Sequence, residues 1–552
     1  MTSALEVNDA EHGEGFWTDH WTYNQDLLEN FLAVYPEKEN EILFKDKTFI
    51  YFDCDHYVVP RDRKHVICEG KIRRYGAVAK SAEKSALIGS RKVNPHALRT
   101  ENGLGEVYRS TLASKFLTVI LVKFASLDPD GIGVEMESDK PGWYDSLNGL
   151  PGLFGSSTNE TFELKRTVSY FKSVLEKNPG EKIAVPSEAA KLLEGLSVLL
   201  RGKIKAFDFW DKASALKEEY RKSVFTGIKG DEKIFDSKYI SAFLDKALKK
   251  INEGLKKALD LRTGLYNTYF RYEAVKYRPI NSTNVKGLPC VKVTAFKRFA
   301  LPLFLEGEMH YMRTEPDKRK LLRHVRNMRN SGVYDRKLKM FKVNANLDSE
   351  SLEIGRTRVF NRGWLENESV FLHMAYKYLL EMLKAGLYEE FFKEIKTGLV
   401  CFADPKIYKR SILENSSFIC SSVFPDPANH GRGFVARLSG STVEFIDMWI
   451  RMTVGEKPFT YENGRLDFEL KPVLDSSFFD GKGEFSFKMF GSVDVTYVNP
   501  LKKSTYLKGV SAKKMEIFWK DGKKQTVEGK KLSDRDAVRL RNAEAKAVKV
   551  YF

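Results

Sequence analysis

The segment DSKYISAFLDKALKKINEGLKKALDLRTG, residues 236–264, carries the clearest helical pattern in this 552-residue chain. Its apolar residues recur at intervals of three and four, which places them on one stripe of an α-helix: Ile240, Phe243, Leu244, Ala247, Leu248, Ile251, Leu255 and Leu259. A similar stripe occurs in residues 368–395, and weaker ones occur in residues 21–35 and 161–177. Repeated amphipathic helices separated by loops rich in Gly and Pro predict a helical toroid or solenoid.

The pattern changes after about residue 465, where short alternating runs replace the helical stripes. Examples are FSFKMFGSVDVTYVN, residues 485–499, and MEIFWKDGKKQTV, residues 515–527, which contains an Asp-Gly turn. The sequence therefore predicts a mainly α fold with two domains. A helical domain is expected over residues 1–460, followed by a small β-sandwich or jelly-roll-like domain over residues 461–552.

Composition indicates a folded globular protein, because 42% of the residues are hydrophobic and 12% are aromatic. The chain contains no run of about 18 apolar residues, so we expect no membrane span and no membrane partner. The amino terminus lacks the basic start and apolar stretch of a secretory signal. These features predict a cytoplasmic location.

The net charge is +17, and the basic excess is most visible in residues 502–531. Lysines alternate there with apolar residues at close to strand period, which favours the solvated face of a β-sheet over a nucleic-acid surface. The cysteines are odd in number and lack CxxC spacing, so we expect reduced thiols and neither disulfides nor a zinc ribbon. They are Cys54, Cys68, Cys290, Cys401 and Cys420.

Acidic and aromatic residues stand among several glycines and prolines in residues 133–166. Trp143 and Asp145 are two apart, so in an extended segment they lie on the same side. That arrangement suits a sugar ring and a proton donor. The alternative, weighed equally, is that Trp143 anchors the core and Asp145 caps a turn.

Polar residues also collect in three other segments. Residues 15–30 combine two Trp with His, Asn and Asp at the start of a helix. Glu366 and His373 are seven apart and can share a helix face. ARLSGSTVEF offers hydroxyls and N–H groups to an anion, although an ordinary helix cap is the alternative. The chain has no phosphate-binding loop of the nucleotide type, so no nucleotide cofactor and no metal is expected.

Five segments can be compared together: HGEGFWTDHWTYNQDLLE, DKPGWYDSLNGLPG, GWLENESVFLHM, ENSSFICSSVFPD and GFVARLSGSTVEF. They resemble successive active-site loops of the inverting glycoside phosphorylases related to cellobiose phosphorylase, nearest to those acting on longer β-glucans. Their order and spacing agree with the family, apart from a longer interval between Asp145 and His373. The resemblance implies an (α/α)6 barrel followed by a small β-domain, with a helical insertion around residues 200–262.

The resemblance also implies roles for single residues. Asp145 matches the general acid of a tryptophan-x-aspartate motif, and Trp143 flanks it. Sugar contacts are implied for His20, where the family commonly has Arg, and for Asp26 and Glu366. Phosphate contacts are implied for the remaining three matched residues, which are His373, Ser439 and Gly440.

The implied reaction is reversible phosphorolysis of β-linked gluco-oligosaccharides to α-glucose 1-phosphate, with inorganic phosphate as co-substrate and no other cofactor. We expect β-1,3 linkages first, then β-1,2, then β-1,4. Family members also carry an amino-terminal β-sandwich and a phosphate-contacting arginine upstream, which this sequence lacks. The chain is therefore expected to be a catalytic half, with a partner chain supplying that domain or a homo-oligomer. A non-catalytic carbohydrate-binding protein and an inverting hydrolase on the same barrel are the alternatives.

Overall fold

The computed structural model describes residues 21–137, 142–436 and 440–552. About 42% of the structure is helix and about 24% is strand. Described α-helices of eight residues or more are Trp21–Val34, Ala82–Gly89, Leu112–Phe124, Thr158–Lys177, Ser187–Leu199, Ala206–Val224, Ser237–Ala258, Leu305–Met312, Lys318–Arg329, Leu372–Lys384, Tyr388–Gly398, Gly440–Thr453 and Asp534–Arg541.

The amphipathic stripe in residues 236–264 forms the predicted helix, Ser237–Ala258, and buries its apolar side. This helix packs against Thr158–Lys177, which in turn packs against Leu305–Met312. Leu372–Lys384 packs against Leu305–Met312 and Gly440–Thr453. The helices thus form a continuous layer whose buried faces supply most of the core.

The sequence pattern predicted strands only in the carboxyl-terminal part of the chain. The structure also has strands in the part that was predicted to be helical. A six-stranded antiparallel sheet is built around a long hairpin of Tyr269–Thr283 and Pro289–Ala300. The turn of the hairpin contains Gly287 at a φ of +74°, a conformation that favours glycine. The other strands of this sheet, in spatial order around the hairpin, are Lys71–Arg74 and His65–Cys68 on one side and Ser156–Ser157 and Val134–Glu135 on the other.

The last part of the chain forms two sheets. The three-stranded sheet has the order Phe459–Glu462, Arg465–Glu469, Lys531–Ser533. The five-stranded sheet has the order Glu484–Met489, Val493–Val498, Ala545–Tyr551, Lys514–Trp519, Lys524–Glu528. Both runs quoted from the sequence form the expected antiparallel pairs. Their buried residues belong to the same apolar core as the helices.

Short sheets complete the structure. A three-stranded sheet of Val370–Phe371, Ser416–Ile419 and Gly433–Ala436 leads into two of the predicted site segments. Within the described ranges, no helix is long and apolar enough to cross a membrane. All five cysteines carry free thiols.

Candidate active site

A cleft with a volume of about 860 Å³ collects the predicted site residues. Eight residues are predicted from the sequence, and six of them lie in the described parts of the chain. All six line this cleft: Asp26, Trp143, Asp145, Glu366, His373 and Gly440. The other two, His20 and Ser439, lie outside the described residues.

Three helices bring distant segments to this cleft. Leu372–Lys384 carries His373 at its second residue, and it packs against the helix that begins at Gly440. Trp21–Val34 contributes Asp26 to the same cleft. Segments more than 400 residues apart in sequence therefore share one cavity.

Asp145 begins a short 3-10 helix, Asp145–Leu147, and its side chain is half-buried. The Gly-rich loop around it is tightly packed, because a Cβ on Gly149 would lie 2.1 Å from the carbonyl oxygen of Glu353. A guanidinium nitrogen of Arg356 donates to the backbone carbonyl of Asp145 at 3.4 Å. These contacts fix the backbone that presents the Asp145 carboxyl group to the cleft.

Glu366 is tied to the same turn. The backbone N–H of Ser146 donates to a carboxylate oxygen of Glu366 at 3.1 Å. The Thr357 hydroxyl donates to the backbone carbonyl of Glu366 at 2.6 Å, and the Tyr144 hydroxyl donates to the same carbonyl. Burial raises the pKa of Glu366, the hydrogen bond from Ser146 lowers it, and the neighbouring Asp145 carboxyl adds to the rise. The cleft thus holds two adjacent carboxyl groups in a partly desolvated setting.

Trp143 forms an aromatic wall of the cleft. Its ring stacks on Phe371 at a centroid distance of 5.1 Å and meets the His373 ring edge-on at 5.5 Å. The ammonium group of Lys377 lies 5.8 Å from the Trp143 ring and donates to the Tyr23 hydroxyl at 2.8 Å. Trp143 therefore both packs on the core and presents a surface to the cavity. Its two predicted roles, as a core anchor and as a residue that faces the site, are compatible.

His373 and Gly440 touch directly. A Cβ on Gly440 would lie 2.2 Å from the His373 imidazole, so this position accepts only glycine unless the ring moves. The His373 Nε2 atom lies 3.5 Å from a carboxylate oxygen of Glu444. Burial lowers the pKa of His373 below its ordinary value, with Glu444 opposing the change. The imidazole is accordingly neutral near pH 7, where it can donate one hydrogen bond.

Asp26 belongs to a dense network of charges at one end of the cleft. Its carboxylate binds Arg166 at 2.6 Å and also Arg313. Burial alone would raise the pKa of Asp26, but the two arginines lower it to about 2. Arg313 also binds Glu163 at 2.9 Å. Asp26 is thus ionised and fixed in position.

The cleft lining is strongly charged, with seven carboxylates and five Lys or Arg side chains. Three of these cations, Arg313, Lys384 and Arg451, form salt bridges with carboxylates. Arg356 and Lys377 are paired with no carboxylate within the described ranges. Burial opposes the charge on Lys377, yet Tyr23 and Glu444 raise its pKa above the ordinary value. Positive charge is therefore available to an anion beside Trp143.

Several lining residues were missed by the sequence analysis. Lys377 lies one helical turn after His373, a spacing that gives a signal for a shared helix face. Arg313 and Glu444 had no comparable signal, because only the packing of their helices brings them to the cleft. Arg356 begins a short 3-10 helix, Arg356–Arg358, that contacts the Asp145 turn.

No protein-family model matches this chain, and no similar protein is found among the curated proteins.

Proposed function

We propose that the protein is an inverting glycoside phosphorylase that converts β-linked gluco-oligosaccharides and inorganic phosphate to α-glucose 1-phosphate and a shortened oligosaccharide. The observation that carries this proposal is the meeting of all six described site residues in one charged cleft. They come from separate segments of the sequence and are residues to which the family resemblance assigns roles. A chance grouping of structural residues would not be expected to converge in this way.

In the proposed reaction, the Asp145 carboxyl group gives its proton to the glycosidic oxygen. A phosphate oxygen attacks the anomeric carbon from the opposite face, so the bond to the leaving sugar breaks as the bond to phosphate forms. The leaving sugar keeps the proton as its new hydroxyl group. Phosphate is already an anion and needs no general base, so a single acid suffices.

Phosphate would bind beside His373. The neutral imidazole donates one hydrogen bond, and the helix that begins at Gly440 offers backbone N–H groups at its amino terminus. The charged ammonium of Lys377 is close enough to Trp143 to lie beside the reacting sugar. Ser439, which lies outside the described residues, is proposed to add a hydroxyl contact.

The sugar would stack on Trp143, since aromatic faces suit the apolar side of a pyranose ring. Glu366 and Asp26 would accept hydrogen bonds from sugar hydroxyls, and both are held in place by contacts described above. His20 is proposed to join Asp26, although it lies outside the described residues. The energetic benefit comes from positioning, because these side chains need little reorganisation.

We propose that the helices form an (α/α)6 barrel with the carboxyl-terminal sheets as a small β-domain, in a cytoplasmic enzyme. We further propose that the chain acts together with a partner chain or as a homo-oligomer. No nucleic acid and no metal takes part in the proposed reaction.

The test uses the synthetic direction. The purified chain is incubated with α-glucose 1-phosphate and a panel of β-1,3-, β-1,2- and β-1,4-gluco-oligosaccharides, and released phosphate is measured. We expect phosphate release with at least one acceptor, β-1,3 first. Binding of an oligosaccharide without turnover would indicate a carbohydrate-binding protein instead. Hydrolysis of an oligosaccharide in phosphate-free buffer would indicate a hydrolase.

A further inference from the structure

A second cavity, with a volume of about 870 Å³, shares no lining residue with the cleft. Its walls are rich in aromatic rings, and Cys54 and His56 lie on its surface. Its aromatic lining includes Tyr51, Phe52, Tyr57, Tyr220 and Phe225. Nothing in the proposed reaction uses this cavity or its residues.

Three consecutive side chains converge at the edge of this cavity. The Cys54 sulfur lies 4.0 Å from a carboxylate oxygen of Asp55 and 4.0 Å from the Nδ1 atom of His56. The same Nδ1 atom lies 2.7 Å from the Asp55 carboxylate. Among the residues that the structure describes, this is the only group of three metal-ligating side chains whose ligand atoms lie so close together.

The local backbone explains the convergence. In a regular strand Asp55 would point away from its two neighbours, but the chain bends at Asp55 before the strand His56–Val58 begins. That strand pairs with Val78–Lys80 and so is held in place. The bend therefore brings three successive side chains to one point.

Neighbouring groups prepare these side chains for a cation. The backbone N–H of His56 donates to the Cys54 sulfur at 3.4 Å and so holds the sulfur beside the imidazole. The Ser85 hydroxyl donates to the second carboxylate oxygen of Asp55 at 2.5 Å and orients it. Such outer contacts are typical of metal ligands. Lys80 lies 3.6 Å from the same oxygen, but its side chain is exposed and can turn away.

A nucleophilic cysteine is the other chemistry that these residues suggest, and the geometry argues against it. A Cys-His-Asp relay uses both ring nitrogens, one for the thiol and one for the carboxylate. Here a single atom, Nδ1 of His56, faces both Cys54 and Asp55. Three donor atoms around one point suit a bound cation better.

We propose that Cys54, Asp55 and His56 bind a zinc ion at the edge of the second cavity. Sulfur, imidazole nitrogen and carboxylate oxygen are the ligands that Zn²⁺ uses, and tetrahedral bond lengths of about 2.0–2.3 Å place such atoms about 3.4–3.6 Å apart. The three ligand atoms now lie 2.7–4.0 Å apart. Each separation would have to change by about 0.4–0.7 Å to reach the tetrahedral geometry. Cys54 and His56 line the cavity, so the proposed site borders it.

The full chain is tested with Zn²⁺ and, separately, with Co²⁺ as a spectroscopic replacement. We expect one bound equivalent of Zn²⁺ and, with Co²⁺, the near-ultraviolet absorption of a sulfur-to-metal charge transfer. Cys54→Ser should abolish that absorption and weaken zinc binding by more than the roughly 10- to 100-fold loss typical of an outer contact. His56→Gln should weaken zinc binding in the same way.

Cys68→Ser is the matched control, since Cys68 is also a half-buried thiol but lies outside the cluster. It should leave both zinc affinity and the cobalt spectrum unchanged. Circular dichroism identifies any variant that has failed to fold. If one of the two ligand variants has not folded, the other one tests the proposal. Absence of stoichiometric zinc binding would overturn the proposal. Retention of binding in a folded Cys54→Ser or His56→Gln chain, or its loss in Cys68→Ser, would do the same.

Discussion

The cleft at Asp145 and the cavity beside Cys54 have nearly the same volume, about 860 and 870 Å³, but different walls. The cleft at Asp145 is lined by twelve acidic or basic side chains, counted as seven carboxylates and five Lys or Arg. The second cavity has mainly aromatic and aliphatic walls with a few charges. Volume therefore does not distinguish them, whereas the chemistry of the lining does.

The cavities also differ in how the chain builds them. The cleft joins residues from Tyr23 to Arg451, and its geometry depends on the packing of several helices. The Cys54, Asp55 and His56 cluster is local and depends on one bend beside one strand. Substitutions in the cleft are accordingly expected to alter turnover, while substitutions around the second cavity should not.

The largest effect is expected for Asp145→Asn. Asn keeps the size of the side chain but cannot deliver a proton, so phosphorolysis should fall about 100- to 10,000-fold. An aryl glucoside with a good leaving group should lose much less, because its aglycone needs little protonation. Steady-state rates on both substrates check this.

Glu219→Gln is the control for that experiment, because Glu219 is an exposed carboxylate of the second cavity. It should retain the rate on both substrates. An equal loss on both substrates in Asp145→Asn would assign Asp145 a structural role.

The next effect is expected for His373→Ala. Removing a hydrogen bond to a charged group costs about 1.5–3 kcal/mol, so the Michaelis constant for phosphate should rise about 10- to 100-fold. The constant for oligosaccharide should change less. His430→Ala removes a histidine that lines neither cavity and should alter neither constant. An unchanged phosphate constant in His373→Ala would make His373 a packing residue.

A smaller effect in the same direction is expected for Gly440→Ala. The added methyl group would lie 2.2 Å from the His373 ring and must displace it. Overpacking of this kind costs about 1–3 kcal/mol, part of which the ring can relieve by moving. We expect the phosphate constant to rise severalfold. Gly481→Ala, where the added carbon meets nothing within 4 Å, should behave like the wild type, and equal behaviour of both variants would contradict the contact.

The smallest effect is on stability and concerns Asp26. Its pKa falls from an ordinary value of 3.8 to about 2 in the folded protein. A lowered carboxyl pKa stabilises the fold above pH 3.8, by about 2 kcal/mol here, and that stabilisation is lost as the pH falls through 2. Asp26→Asn should therefore melt at a lower temperature at pH 7, with the difference from the wild type shrinking below pH 4. A constant difference over that range would show that the arginine pairs contribute little.

Sequence patterns predicted the local elements well. The stripe in residues 236–264 and the alternation in residues 485–499 correspond to the observed helix and strands, because both depend on a period set by the backbone. The hairpin of Tyr269–Thr283 and Pro289–Ala300 was missed. Apolar and polar residues alternate along its two strands, which flank a Gly turn. The helical patterns on both sides nevertheless favour a continuous helical domain over this part of the sequence.

The candidate site shows the same limit. Asp145 and Trp143 could be selected from the sequence because they stand together in one unusual loop. Arg166 and Arg313 could not, since their positions beside Asp26 depend on how two helices pack against a third. The bend that brings Cys54, Asp55 and His56 together likewise could not be predicted from the sequence, because alternation in a strand predicts that Asp55 points the other way.

The central claim is that phosphate, and not water, is the nucleophile in the cleft at Asp145. It is tested most directly by incubating the wild-type chain and Asp145→Asn with a β-1,3-gluco-oligosaccharide, with and without inorganic phosphate, while following products by phosphorus and proton NMR. We expect α-glucose 1-phosphate from the wild type only when phosphate is present, and almost none from Asp145→Asn. Free glucose formed at the same rate without phosphate, or similar α-glucose 1-phosphate formation by both chains, would contradict it.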